Sequence, residues 1–279
     1  MSTLSGLISA GGGGTLFTIP VTKSVTFTPP FNGTAVIHCI GGGASGGTDG
    51  QQQNCTGGGA GGYSRKIVTL STGTNLTLVV GAGGSPVRNS SDGNDGGNTT
   101  ATDGSFTLTA NGGDKGLTNS TTAGAGGTAS GGDVNNTGGA GGGGSTMGGG
   151  GAVGILGTGN AGAAATHLNN NANNIYYGGD SDVQSPQFEN TNGELRGGGR
   201  GGRFLYREIE SSPIEINGGF LAGGGAGFTV NAYNNVFGGD GGIGGGGGTA
   251  NYTAVSSEGM VNSGAGGAGL ILIMYTAIT

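Results

Sequence analysis

The sequence predicts an all-β protein with essentially no α-helix: a small β-sandwich that carries a large inserted bundle of polyglycine II helices. Three observations predict it. Short runs alternate apolar and polar residues and are rich in Val, Ile, Thr and Phe, as half-buried strands require. Glycine supplies 75 of the 279 residues and recurs at every third position in several tracts, and three residues make one turn of the polyproline II geometry. No long window repeats its apolar residues at three and four, and each glycine would weaken a helix by about 1 kcal/mol.

The opening "MSTLSGLISAGGGG" (1–14) reads as an N-terminal arm. It lacks the basic residues and continuous apolar stretch of a signal peptide, so the expectation is a product made in the cytoplasm. Strand candidates follow at "LFTIPV" (16–21), "SVTFTP" (24–29), "TAVIHCI" (34–40), "SRKIVTL" (64–70), "NLTLVVG" (75–81) and "SFTLTA" (105–110). They place the sandwich at 15–112. A seventh candidate, "GLILIMYT" (269–276), lies far along the chain, so 268–279 is expected to return and complete the sheet. Both faces of that strand are apolar, which predicts a central position.

Residues 113–267 form the insertion. In "GGDGGIGGGGG" (238–248) glycine holds two of three registers: Gly238, Gly241 and Gly244 in one, Gly239, Gly242 and Gly245 in the next. Asp240 and Ile243 occupy the third. Glycine is costly to order unless backbones must approach where no Cβ fits. The expectation is one extended threefold helix, roughly 34 Å long at about 3.1 Å per residue, with its amides bonded to other glycine tracts. Collagen is excluded by broken periodicity and only 6 prolines. Disorder fits poorly with 9% charged and 32% hydrophobic residues.

Charge and motifs narrow the chemistry. The formal charge is −6, with no basic stripe for nucleic acid and no apolar run long enough for membrane insertion. Cys39 and Cys55 are too few to staple a chain of this length. His38 and His167 have no metal-ligand spacing, and no cofactor is expected. The serine of "GAGGYSRK" lacks the context of a nucleophile elbow, so the expectation is a protein that is not an enzyme.

Segments between glycine tracts carry Tyr176, Tyr177, Phe188, Tyr206, Tyr233, Phe237 and Tyr252 among many Asn and Ser residues. This is the residue vocabulary of binding loops, since tyrosine contributes large contact area at low rotamer cost. Tyr176, Tyr177, Tyr206, Tyr233 and Tyr252 are therefore the candidate receptor-contact residues. The plainer reading packs these aromatics under their own loops, most of all Phe188 and Phe237, and makes "RFLYREIE" a scaffold hairpin.

At "GTAVIHCIGGGASGG", "GGGAGGYSRKIVTL", "NLTLVVGAGG" and "GGAGLILIMYT" the chain resembles the glycine-rich domain of bacteriophage tail-fibre and tail-tip proteins. The likeness runs from about residue 14 to 276. More distantly it resembles the tail-fibre tip adhesins of T4-like phages, in which receptor-binding loops emerge from a sandwich of polyglycine II helices. The resemblance implies a virion protein whose partners are a bacterial surface receptor, protein or glycan, and other tail proteins, with a trimer as one assembly it allows. Two alternatives stay open: a structural decoration protein of head or tail that binds no receptor, and an ice-binding protein. The irregular third register argues against the last.

Overall fold

Strands ending at Ile40, Val79, Ala110 and Asn136 each run on into a glycine-rich tract, so sandwich and tracts form one continuous body. The computed structural model describes residues 16–49, 54–143, 149–151, 153, 157–159, 161–162, 175–177, 203–205, 227–229, 236–252 and 261–277. Ten strands make two sheets: β1 (Leu16–Val21), β2 (Val25–Phe27), β3 (Gly33–Ile40), β4 (Tyr63–Leu70), β5 (Leu76–Val79), β6 (Thr99–Thr102), β7 (Thr107–Ala110), β8 (Ala129–Ser130), β9 (Val134–Asn136) and β10 (Leu270–Ala277). One sheet has the order β1-β10-β3-β4-β9 and the other β2-β5-β6-β7-β8, all neighbours antiparallel. No helix occurs among the described residues.

The sheets pack face to face. Ile37, Leu70, Ile271, Ile273 and Tyr275 of the first meet Leu76, Leu78, Ala101 and Leu108 of the second in one buried core. Alternation explains the choice of face: in β10 every second side chain, Ile271, Ile273, Tyr275 and Ala277, is buried, while those between are half-buried. The strand predicted at 269–276 is central, flanked by β1 and β3. Leu16 pairs with Thr276 and Gly33 with Ala277, so the first and last described strands both reach the same pole.

At the opposite pole the sandwich continues as glycine tracts. Gly41, Ala44 and Gly47 donate their amides to Gly62, Gly59 and Thr56. The intervening residues turn elsewhere: Gly42, Ser45 and Thr48 donate to Gly97, Asn94 and Ser91, and Gly43 and Gly46 to Gly267 and Gly264. Every third amide thus returns to the same neighbour. The carbonyls of Gly42 and Ser45 accept from Gly113 and Gly116, that of Gly43 from Gly84 and that of Ala44 from Gly247. Tract 41–48 is therefore bonded to six described tracts, and all its residues are buried.

The next tract repeats the pattern. Thr56, Gly59 and Gly62 donate to Leu117, Asp114 and Asn111, Gly57 and Ala60 to Gly142 and Gly139, and Gly58 and Gly61 to Gly247 and Gly244. The amides named in these two buried tracts are satisfied by neighbouring backbones, as buried polar groups need to be satisfied. The bonding runs across residue 112: tracts from the first hundred residues are interleaved with later ones.

One expectation is corrected. Residues 238–248 do not form a single extended helix, because the chain doubles back at Ile243–Gly244. The Gly245 amide donates to the Gly242 carbonyl at 2.7 Å and Gly244 takes φ +69°, a turn that favours glycine at its third position. The two arms then bond to each other, Gly248 donating to Gly239. The physical reason is local core chemistry: Ile243 is partly buried against Ile40, Tyr63 and Val153 at the base of the sandwich, where an apolar side chain gains more than it would in solvent. Asp240 is exposed, and its Oδ1 accepts the Ala265 amide at 2.7 Å.

Candidate binding surface

The far end of the tracts gathers turns from distant parts of the chain. From Gly41 to Asp49 the chain advances roughly 25 Å beyond the sandwich, at about 3.1 Å per residue. There it meets the turn Arg88–Asn89–Ser90–Ser91, since Thr48 donates its amide to the Ser91 carbonyl and Asn89 donates to the Val261 carbonyl at 3.2 Å. Beside it lies the turn through Asn119: Cys55 and Thr118 form a bridge and Ser120 donates to the Asn54 carbonyl at 3.1 Å.

Both turns are held in the left-handed region. Asn89, Ser90 and Asn119 have φ of 51°, 54° and 48°, a conformation that costs most residues and that Asn tolerates best. Ser91 Oγ closes the first turn by donating to the Arg88 carbonyl at 2.9 Å. Arg88, Asn89, Ser90, Asn119, Thr121 and Thr122 are exposed. The surface offers a guanidinium, amides and hydroxyls on an ordered backbone, so little ordering would oppose a ligand bound there.

A side-chain ladder runs down the flank. Asp92, Asp95 and Asn98 stand three apart on one tract, and their Oδ1 atoms accept the amides of Thr118, Lys115 and Gly112 at 2.9, 2.8 and 2.9 Å. At this flank, where no further described tract accepts these amides, side chains take the carbonyls' place.

The sequence-predicted residues are distributed as follows. Tyr252 belongs to Ala250–Tyr252, which pairs in parallel with Gly227–Thr229 and with Thr48–Asp49, so its backbone lies at this far end. Tyr176 and Tyr177 lie in Ile175–Tyr177, paired antiparallel with Arg203–Leu205. Tyr206, Tyr233, Phe188 and His167 lie outside the described residues. Gly238, Gly241 and Gly244 donate amides to Asn262, Ala265 and Ala268, while the carbonyls of Gly239, Gly242 and Gly245 accept from Gly248, Gly245 and Gly267.

The residues weighed for chemistry have local roles. Ser64 is buried, and its Oγ bonds the Ser130 carbonyl at 3.1 Å and Asn135 Oδ1 at 2.8 Å. His38 Nδ1 lies 2.7 Å from the Tyr63 hydroxyl, and burial, then the Arg65 charge, lowers its pKa from the ordinary value. Cys39 and Cys55 are both free and buried, and burial pushes each thiol up to about 12. No group of three His, Cys, Asp or Glu suited to a metal occurs among the described residues.

Sequence reasoning missed the Arg88–Ser91 turn, which has no aromatic to mark it. The available signal was "RNSS" between two glycine tracts, a cluster of turn-forming residues. No curated protein matches the chain. Residues 19–276 match the family described as "Glycine-rich domain", a span that takes in both sheets and the tracts, and the chain belongs to that family.

Proposed function

We propose that the chain is a non-enzymatic bacteriophage virion protein, a tail-fibre or tail-tip adhesin that binds a bacterial surface receptor through the turns at the far end of its glycine tracts. The tracts act as polyglycine II helices that hold those turns in place. One observation carries the reading: the strands that begin and end the described chain share one pole, while the non-glycine residues held at positive φ, Asn89, Ser90 and Asn119, gather at the other. A bipolar body suits a protein anchored to a virion at one end and to a cell at the other. Turns on a rigid frame are also where recognition is usually placed.

The partners are then a receptor at the far pole and tail proteins, or further copies of the chain, at the sandwich pole. Adsorption competition tests this. Purified protein should bind host cells and reduce phage adsorption in proportion to its occupancy of them. Protein that labels virions but neither binds cells nor competes would replace the adhesin by a structural decoration protein.

A further inference from the structure

We propose that Arg88 and Asn262 form a binding site for an oxyanion, the carboxylate or phosphate group of an acidic saccharide. The two residues face each other in an antiparallel bridge. Directly opposed residues project to the same side, with Cβ atoms about 4.5–5.5 Å apart. Asn262 is 7% exposed, and its Nδ2 has no hydrogen-bond partner among the described residues. A buried donor left unmet is costly, and a ligand oxygen removes that cost. Arg88 is exposed and makes no ion pair with a described residue. An oxygen held at its guanidinium lies on the side of the bridge that carries the Asn262 amide.

The neighbouring carboxylates among the described residues are already engaged. Asp49 is buried and receives the Ser90 hydroxyl at 3.4 Å, and Asp92 pairs with Lys115 at 3.4 Å while accepting the Thr118 amide. Among the described residues the arginine is thus left without a carboxylate partner. A guanidinium presents parallel N–H groups that match the paired oxygens of carboxylate and phosphate. The backbone that carries it is fixed by the Asn89 amide bond to Val261 and the Ser91 hydroxyl bond to Arg88, so little ordering remains to oppose binding. The saccharide as carrier of the anion rests on the receptor-binding reading; the anion site does not.

The test uses the full chain, isotope-labelled, titrated with inorganic phosphate and separately with glucuronate. The Asn262 side-chain amide and the Arg88 Nε signals should move, and Arg88→Gln, at an exposed position, should keep the fold and weaken binding about tenfold or more. Tighter phosphate binding assigns a phosphorylated saccharide, and tighter glucuronate binding a uronate. Unmoved Asn262 signals, or an Arg88→Gln variant that titrates like the parent, overturn the site. A parent that binds the anions but does not adsorb to host cells keeps the site and removes the saccharide receptor.

Discussion

Gly43 donates its amide to the Gly267 carbonyl at 2.8 Å, and a Cβ placed on Gly43 would overlap the carbonyl of Gly245. A single residue near the start of the chain thus ties down two tracts near its end, at a separation only glycine permits. The stability of the tracts therefore depends on the absence of side chains at particular positions rather than on glycine content.

Gly43→Ala should destabilise the protein by about 2–5 kcal/mol, because an overpacked core and displaced amides act together. Gly157→Ala is the control, since no described residue lies within 4 Å of a Cβ there. It should be neutral, or stabilising by up to about 1 kcal/mol through the unfolded chain. Denaturant melts of the two variants decide the matter, and equal midpoints would mean that the tracts are not close-packed.

The turn at Gly244 makes a separate prediction. With φ at +69°, Gly244→Ala should cost about 1–2 kcal/mol and Gly244→Asn less, since Asn visits the left-handed region more readily. The same ordering in thermal midpoints would establish the doubled-back course of residues 238–248.

His38 predicts a pH dependence. Its pKa is lowered in the folded protein by burial and by Arg65, so the unfolded chain binds the proton more readily. Its contribution to stability is full above about 6.5 and is lost as pH falls from there toward the lowered folded value. His38→Gln should flatten that part of a plot of unfolding free energy against pH. An unchanged slope would assign the dependence to other groups.

Cys39 and Cys55 should resist thiol reagents in the native protein, because the thiolate is the reactive form and both thiols lie near 12. Both should react once denaturant unfolds the chain. Rapid labelling of either thiol under native conditions would show that its surroundings open more easily than the fold implies.

Removing one rung of the flank ladder should have a small, local cost. Asp95→Ala takes away the acceptor of the Lys115 amide and should cost about 1 kcal/mol, whereas Asp95→Asn keeps an acceptor oxygen and most of the stability. Hydrogen exchange at the Lys115 amide reads this directly, and equal protection in Asp95→Ala would transfer the role to water.

The seven strands read from the sequence all exist because alternation is a local property: whether Ile37 or Leu78 faces a core follows from its parity within its own segment. Thr99–Thr102 and Val134–Asn136 were not legible, since threonine and asparagine runs become strands only when a neighbouring edge accepts them. Threefold glycine spacing likewise marked where a Cβ could not be accommodated. It could not say which tract lies beside which, nor that 41–48 and 56–62 stand at the centre, because backbone amides are chemically alike and their pairing is decided only when all the tracts meet. The same holds for the turn at Gly244 and for the meeting of Arg88 with Asn262: in a run of glycines nothing local selects the residue that takes positive φ, and tertiary packing, here the burial of Ile243, makes the choice.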